Sequence, residues 1–374
     1  MLSFWEQDVF LTYDHIVIGG GIVGLSTAVS IKEKDSSKKV LVLEKGIFPS
    51  GASTKNAGFS CFGSLTEILA DLDTMSQEEV VELVNVRWNG LGLLKQRLGA
   101  EHIDFHQWGG YELLVGDQVN ALDQMDEVND LLFPLFDAQV YHNRHEKIKT
   151  FGFNESHVDH MVFNPFEGQI HTGKMMKRLQ AYAASLGVEV FTGVEVQSIL
   201  EEDKSVQVVI NDELSFRADR VAICTNAFSK KLLPDLALSP GRGLVLITKP
   251  VPGLPFQGTF HYDEGYYYFR NYQDRVIFGG GRNLAHEEEE TTDFGINQKI
   301  LKKLKEDLHE LILPEQSVEI AHFWSGIMAF GQNKQPLLKR HSDRLYLGVR
   351  LGGMGVAIGS QLGLELAEMM LTSE

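Results

Sequence analysis

The alternation of apolar and polar positions divides the chain into a series of elements. Residues 14–18 predict a strand, residues 19–24 a glycine turn, and the small and apolar residues after it a helix; residues 39–43 predict a second strand ending at Glu44. Ser76 and Glu79 have capping-box spacing, and Val80, Val84, Trp88, Leu91, Leu94 and Leu98 then recur at three- and four-residue steps, which predicts a long helix. Residues 110–115 read as a strand and 119–132 as an amphipathic helix. Met175, Leu179, Tyr182, Ala183 and Leu186 share one helical face, with Gly187 as its C-terminal cap and a strand over 188–191. Three β segments follow at 205–210, 214–216 and 220–224. Residues 240–283 are β-rich, with turns at 250–258 and 271–274, and predict an antiparallel sheet. Leu301, Leu304, Leu308 and Leu311 mark another helix, residues 318–324 and 345–349 are strands, and a helix through Met370 closes the chain.

The strand–turn–helix at the start carries chemistry. Gly19, Gly21 and Gly24 have GxGxxG spacing: the first makes the tight turn, the second admits a pyrophosphate, and the third lets helix pack on strand. The pyrophosphate would sit on the open N–H groups of the helix start, at Ile22 and Val23. Glu44 stands 20 residues after Gly24, where this fold places the acid that takes ribose hydroxyls. An acid there favours NAD or FAD over NADP. Residues 45–64 are too irregular for helix or strand, so Ser53, Thr54, Asn56, Ala57 and Gly58 are candidates to touch the cofactor, as are Val196, Thr225, Asn226 and Ala227. Gly352, Gly353, Met354, Gly355 and Val356 form a second strand-to-helix glycine turn, whose open N–H groups would suit an electron-rich group. The glycine run 279–281 lacks the last glycine of a GxGxxG pattern, since Leu284 stands there, and has no small-residue helix after it, so no second dinucleotide site is expected. The expected fold is therefore α/β: a Rossmann-type, glutathione-reductase-like nucleotide domain (1–75, 163–238 and 320–374) and a discontinuous α+β substrate domain on an antiparallel sheet (76–162 and 239–319).

Composition narrows the partners. With 374 residues the chain has room for two domains and a large core. A formal net charge of −17 would repel phosphate backbones, so nucleic acid is not an expected partner. No stretch approaches the roughly 18 apolar residues of a membrane span, and the start MLSFWEQDVFLTYD does not read as a secretory signal. Cys61 and Cys224 are the only cysteines, which suggests a reducing compartment and a cytoplasmic location. The pairs His102/His106, His142/His145 and His157/His160 stand in no ligand pattern and read as surface and loop histidines, so no metal site is expected. Glu287, Glu288, Glu289 and Glu290 read as a solvated acidic loop.

Taken together, the pieces HIVIGGGIVGLSTA with VLVLEK, SGASTKNAG, VAICTNAFS, PGRG, GYYYFR with VIFGGGR, WSG and RLYLGVRLGGMGVAIGSQLGLELA resemble the FAD-dependent amino-acid oxidase superfamily, and they occur in family order over nearly the whole chain. That superfamily includes glycine oxidase, sarcosine oxidase, γ-glutamylputrescine oxidase and D-amino-acid dehydrogenases. The resemblance implies noncovalent FAD at the residues above, with Lys45 joining them. It also implies a sheet covering the flavin and oxidation of a C–N bond by hydride transfer to flavin N5, with later hydrolysis of the imine. A small-molecule substrate and oxygen or a quinone as electron acceptor follow from it.

The chain also departs from the family pattern. Glycine oxidase-like members carry an arginine after the tryptophan–glycine motif to pair the substrate carboxylate, and here Met328 stands in that place. Lysines of the sarcosine oxidase branch are replaced by Ile277 and Ala357. Four cations remain for an anionic substrate: Arg270, Arg282, Lys334 and Arg350, with Arg282 and Arg350 preferred. His261 and Tyr267 are candidate catalytic residues on the sheet expected over the flavin; strand alternation allows either Tyr267 or the pair Tyr266 and Tyr268 to face the pocket. Oxidation of a 2-hydroxy acid and a non-catalytic flavoprotein subunit are the alternative readings.

Overall fold

The computed structural model describes residues 1–372 and contains two large sheets. In the first, Thr12–Ile18 lies parallel between Val40–Glu44 and Leu214–Ile223. Glu189–Thr192 extends it on one side and Leu345–Val349 on the other, both parallel, and Leu337–Arg340 closes one edge antiparallel. Val17, Val42 and Ala222 pack under the helices on one face, while Ile16, Leu41 and Val221 serve the other. Continuous apolar runs are what a parallel sheet covered on both faces requires. The second sheet runs in the order Ile320–Phe330, Ser239–Thr248, Arg275–Gly280, Tyr267–Tyr272, Thr259–Tyr262, Gly110–Leu114, His160–Asn164 and His142–Asn143. It is antiparallel except where Thr259–Tyr262 meets Gly110–Leu114.

Helix Ile22–Lys34 is buried from Ile22 to Ile31 and has no polar face. Helix Gly355–Thr372 approaches it through glycine, and helix Gln77–Leu98 approaches that helix through glycine in turn. A Cβ on Gly363 of helix Gly355–Thr372 would lie 2.5 Å from Ser26 Cβ, and one on Gly359 would lie 2.6 Å from Ile22 Cγ2. Gly90 of helix Gln77–Leu98 meets the Ala357 carbonyl in the same way, at 2.0 Å.

Several expectations need correction. The segments 214–216 and 220–224 form one strand, Leu214–Ile223, because its start pairs antiparallel with Val206–Asn211 while its end pairs parallel with Thr12–Ile18. Ile320–Phe330, expected on the nucleotide side, is hydrogen-bonded along its length to Ser239–Thr248 in the second sheet. The helix expected over 119–132 begins as the 3-10 segment Gly116–Gln124 and becomes an α-helix at Met125–Phe136. Helix Leu65–Leu72 was not anticipated, although Ser64 and Glu67 form a capping box at its start. The acidic run 287–290 is not wholly solvated, since Glu289 is buried and takes two bonds of 2.8 Å from the Arg242 guanidinium.

The second sheet owes its core to aromatic packing. Phe260 stacks on Phe269 at 4.7 Å and on Tyr111 at 5.1 Å, with Phe153 and Phe256 edge-on. Phe260 is fully buried, so Phe260→Ala should cost about 3–5 kcal/mol. Urea denaturation followed by circular dichroism measures this; a loss below about 1 kcal/mol would mean that the stack contributes little.

Candidate active site

A cavity of about 720 Å³ is lined by residues from both sheets. Loops at the carboxyl ends of the parallel strands form one side, and the second sheet presents a face to the other. This is the crevice position in which open α/β sheets bind ligands, and the volume suits a large small molecule.

The first glycine turn is built by close approach. Gly19 has φ +108°, and a Cβ on Gly24 would lie 1.9 Å from the Gly19 carbonyl, so the helix enters directly over the turn. Gly21 caps helix Ile22–Lys34 without a side chain, and the Ile22 N–H donates to Ser53 Oγ at 2.9 Å. That bond takes the Ile22 donor that was expected to be open, while Gly21, Ile22 and Val23 still line the cavity, where the positive end of the helix favours an anionic group. Glu44 accepts from the Gly20 and Gly46 N–H groups at 2.9 Å each, which fixes its carboxylate at the cavity wall. Lys45 beside it is paired with Glu195 at 2.7 Å. A positive helix end, a glycine cradle and a fixed acid together fit a dinucleotide diphosphate with its ribose.

Most of the residues expected around the cofactor line this cavity: Gly19, Gly21, Ile22, Val23, Glu44, Lys45, Ser53, Asn56, Ala57, Gly58, Val196, Thr225, Asn226, Gly352, Gly353, Met354, Gly355 and Val356. Thr54 and Ala227 stand behind the wall; Thr54 Oγ1 donates to the Pro49 carbonyl at 2.8 Å, and Ala227 packs with Ile327 and Val349. Gly24 serves the helix–strand contact rather than the cavity surface.

For the expected substrate residues the placement differs from expectation in two respects. Tyr267 points into the core, 3% exposed and stacked on Tyr262 at 4.7 Å; Tyr266 and Tyr268 line the cavity, as strand alternation requires. Arg350 turns away from the cavity. Its φ of +64° and the bond from its N–H to Asn226 Oδ1 send the guanidinium to the carbonyls of Gln335 and Ala237. Among the other cations, Arg270 is buried and bound to the carbonyls of Ala57 and Ile170, and Lys334 is paired with Asp71 at 2.7 Å. Arg282 lines the cavity, lies 4.0 Å over the Phe330 ring, bonds His286 Nε2 through Nη1 at 2.9 Å, and makes no ion pair among the described residues. Met328 and Phe330 share the wall with it.

His261 lines the cavity as expected, but its surroundings were not foreseen. It is 5% exposed, and its Nε2 lies 3.6 Å from Glu167 Oε2. One ligand-type atom each of Cys61, Glu167 and His261 falls within 4.8 Å of the others. Burial opposes charge on His261, yet the Cys61 contact and the Glu167 carboxylate outweigh it and hold the imidazole well above its ordinary value. Burial pushes the Cys61 thiol up, so it stays protonated. Glu67 was foreseeable from its capping box with Ser64; Glu167 sits in an irregular segment and carries no sequence signal.

The profile of a family described as FAD dependent oxidoreductase, DAO, matches residues 14–369. The chain is 25% identical to the bifunctional protein ThiO/ThiG of Synechocystis sp. over 87% of its own length and 46% of that protein, so it spans about half of that relative. It is 21% identical to the glycine oxidase of Bacillus subtilis, covering 97% of this chain and 94% of that one. Its fold matches a crystal structure of L-proline dehydrogenase from P. horikoshii with a TM-score of 0.80 at 19% identity, covering 96% of this chain and 93% of the other. The chain therefore belongs to the DAO family of FAD-dependent oxidoreductases.

Proposed function

We propose that this protein oxidises the C–N bond of a small amine or amino-acid derivative, with noncovalently bound FAD as the redox group. One observation carries the reading: the dinucleotide cradle and an aromatic chamber whose lining includes Arg282, an arginine without an acid partner among the described residues, belong to the same cavity. In that cavity Gly19, Gly21, Ile22, Val23 and Glu44 would hold the dinucleotide part, and the turn Gly352–Val356 the ring end. Bound FAD supplies a two-electron acceptor for the hydride leaving the carbon next to nitrogen.

The protein's own part is binding and orientation. Tyr266, Tyr268, Met328 and Phe330 supply apolar walls that exclude water. The Tyr268 hydroxyl, pushed up to about 12 by burial, stays protonated and can donate a hydrogen bond. Arg282 serves as the anchor for a substrate carboxylate, the task given to another arginine where Met328 stands here. Its stacking on Phe330 holds the guanidinium plane; Nη1 is engaged with His286 Nε2 at 2.9 Å, and the remaining donors are left for a carboxylate. The names of two relatives, glycine oxidase and L-proline dehydrogenase, support an amino-acid-like donor. Oxygen or a quinone would take the electrons onward.

The purified protein should be yellow, and amines or N-methyl amino acids should bleach it anaerobically. Bleaching by 2-hydroxy acids alone would replace this reading with C–O oxidation, and no bleaching by any donor would overturn it. Reoxidation in air then separates oxygen from a quinone as acceptor. Acid precipitation should release the chromophore into the supernatant, because the Cys61 thiol is protonated and unreactive. Arg282→Met should raise KM for carboxylate-bearing donors about 10- to 100-fold while changing amines without a carboxylate little, in keeping with loss of a charge-assisted pair. Equal effects on both substrate sets would remove Arg282 from that role.

A further inference from the structure

The carboxylates around His261 have a purpose that substrate binding does not use. Glu167 and Glu67 are buried, as is Glu112, the register neighbour of His261 on the adjoining strand. Space has been cleared for two of them. A Cβ on Gly110 would lie 1.9 Å from Glu167 Oε2, and a Cβ on Gly265 would lie 2.7 Å from Glu67 Cδ. Each carboxylate is also fixed: Glu167 Oε1 accepts the Phe62 N–H at 3.3 Å, and Glu67 accepts the Ser64 N–H at 3.0 Å. A buried carboxylate is costly unless a cation or donors offset it. Glu112 is provided for by Ser64 and Thr66, and burial raises it toward its neutral form. Glu67 is held ionised against burial by His261 and Lys334.

We propose that His261 is a permanent imidazolium in the cavity wall, fixed by Glu167 and Glu67, and that its charge stabilises the reduced form of the bound cofactor. Glu167 is then a positioning residue that acts through His261. The charge reaches the cofactor side by a short path. Cys61, which meets the same imidazole, has its sulfur 3.9 Å from Met354 Sδ in the terminal glycine turn. Electrons entering the cofactor add negative charge beside a cation already in place, inside protein rather than water, so no solvent need reorganise. The groups facing His261 are Cys61, Glu67, Glu112, Glu167 and Tyr268, with Arg87 and Lys334 one shell further out. Of these, Cys61 and Tyr268 keep their protons, and the other three are carboxyl groups, so the field at the ring favours its charged form.

The three-atom convergence of Cys61, Glu167 and His261 also resembles a metal cage, but the geometry favours the ion pair. Zinc would need its ligand atoms at about 2.0–2.3 Å from a common centre and a deprotonated thiol. Without a metal, burial keeps the thiol protonated, and Glu167 Oε1 is already engaged by the Phe62 N–H, so the pair forms without an ion.

The inference rests on the reading that the cofactor's ring end lies at this wall, and the test separates the two. In ¹⁵N-histidine-labelled holoenzyme, one of the 13 histidines should keep imidazolium shifts at pH 8, where an ordinary histidine, at about 6.5, is neutral. Because its folded value is raised, the charge is complete below the ordinary range and is lost only as pH climbs through the raised value. In Glu167→Gln that signal should become neutral at pH 8. Anaerobic equilibration with redox dyes should show the oxidised-to-reduced ratio of Glu167→Gln shifted about tenfold toward oxidised, about 30 mV for a two-electron couple, with Glu167→Asp restoring most of it. Flavin bound normally with an unchanged ratio in Glu167→Gln would overturn the inference and leave the functional reading standing. So would a stoichiometric metal in the purified wild-type protein, since a ligating imidazole is neutral. A wild-type protein without flavin would overturn both.

Discussion

Everything at the site depends on how closely three helices approach one another. Helix Ile22–Lys34 starts at the first glycine turn and helix Gly355–Thr372 at the last, and the two starts open on one cavity only because their axes pack at glycine distance. Gly359 and Gly363 allow that contact against Ile22 and Ser26, and Gly90 admits the third helix against Ala357. Side chains at these points would push the terminal turn away from the dinucleotide cradle. Two positive helix ends, separated by more than 300 residues of chain, are thus presented to the same ligand. Close packing carries the positional information here, and hydrogen bonds between the helices are not needed for it.

The second sheet answers a different requirement. One face is an aromatic core that holds the sheet rigid, with Phe260, Phe269 and Tyr267 turned inward; the opposite face gives Tyr268 and His261 to the cavity. Rigidity of this kind is what an enzyme needs when its contribution is orientation. The parallel pairing of Thr259–Tyr262 with Gly110–Leu114 brings Glu112 level with His261 and sets the strand beside Glu167. Chain that is far apart in sequence therefore supplies both the buried imidazole and the acids that keep it charged.

The nucleotide side was legible because its signals are local. A glycine at a tight turn, a helix start without a cap and an acid at the end of the next strand each follow from backbone stereochemistry within a few residues, and Gly19, Gly21 and Glu44 stand where they were expected. The substrate side was legible only in outline. Alternation predicted that tyrosines would divide between two faces, but a slip of one residue reverses the assignment, and the core took Tyr267. Arg350 was expected to face the ligand from its place before the glycine turn. Its left-handed backbone and the Asn226 contact redirect it, and neither is visible in composition or period.

By itself the sequence determined the α/β class, the dinucleotide cradle and the kinship with FAD-dependent oxidoreductases, because motif spacing and hydrophobic period are written along the chain. Only the tertiary structure decided which of the candidate arginines lines the cavity, which tyrosines meet it, and that Glu167 lies 3.6 Å from His261. Those outcomes depend on side chains from separate elements competing for the same buried space and charge. The glycines at 110 and 265 show the same division: as letters they are ordinary turn and strand residues, and only in the fold are they the room left for two carboxylates.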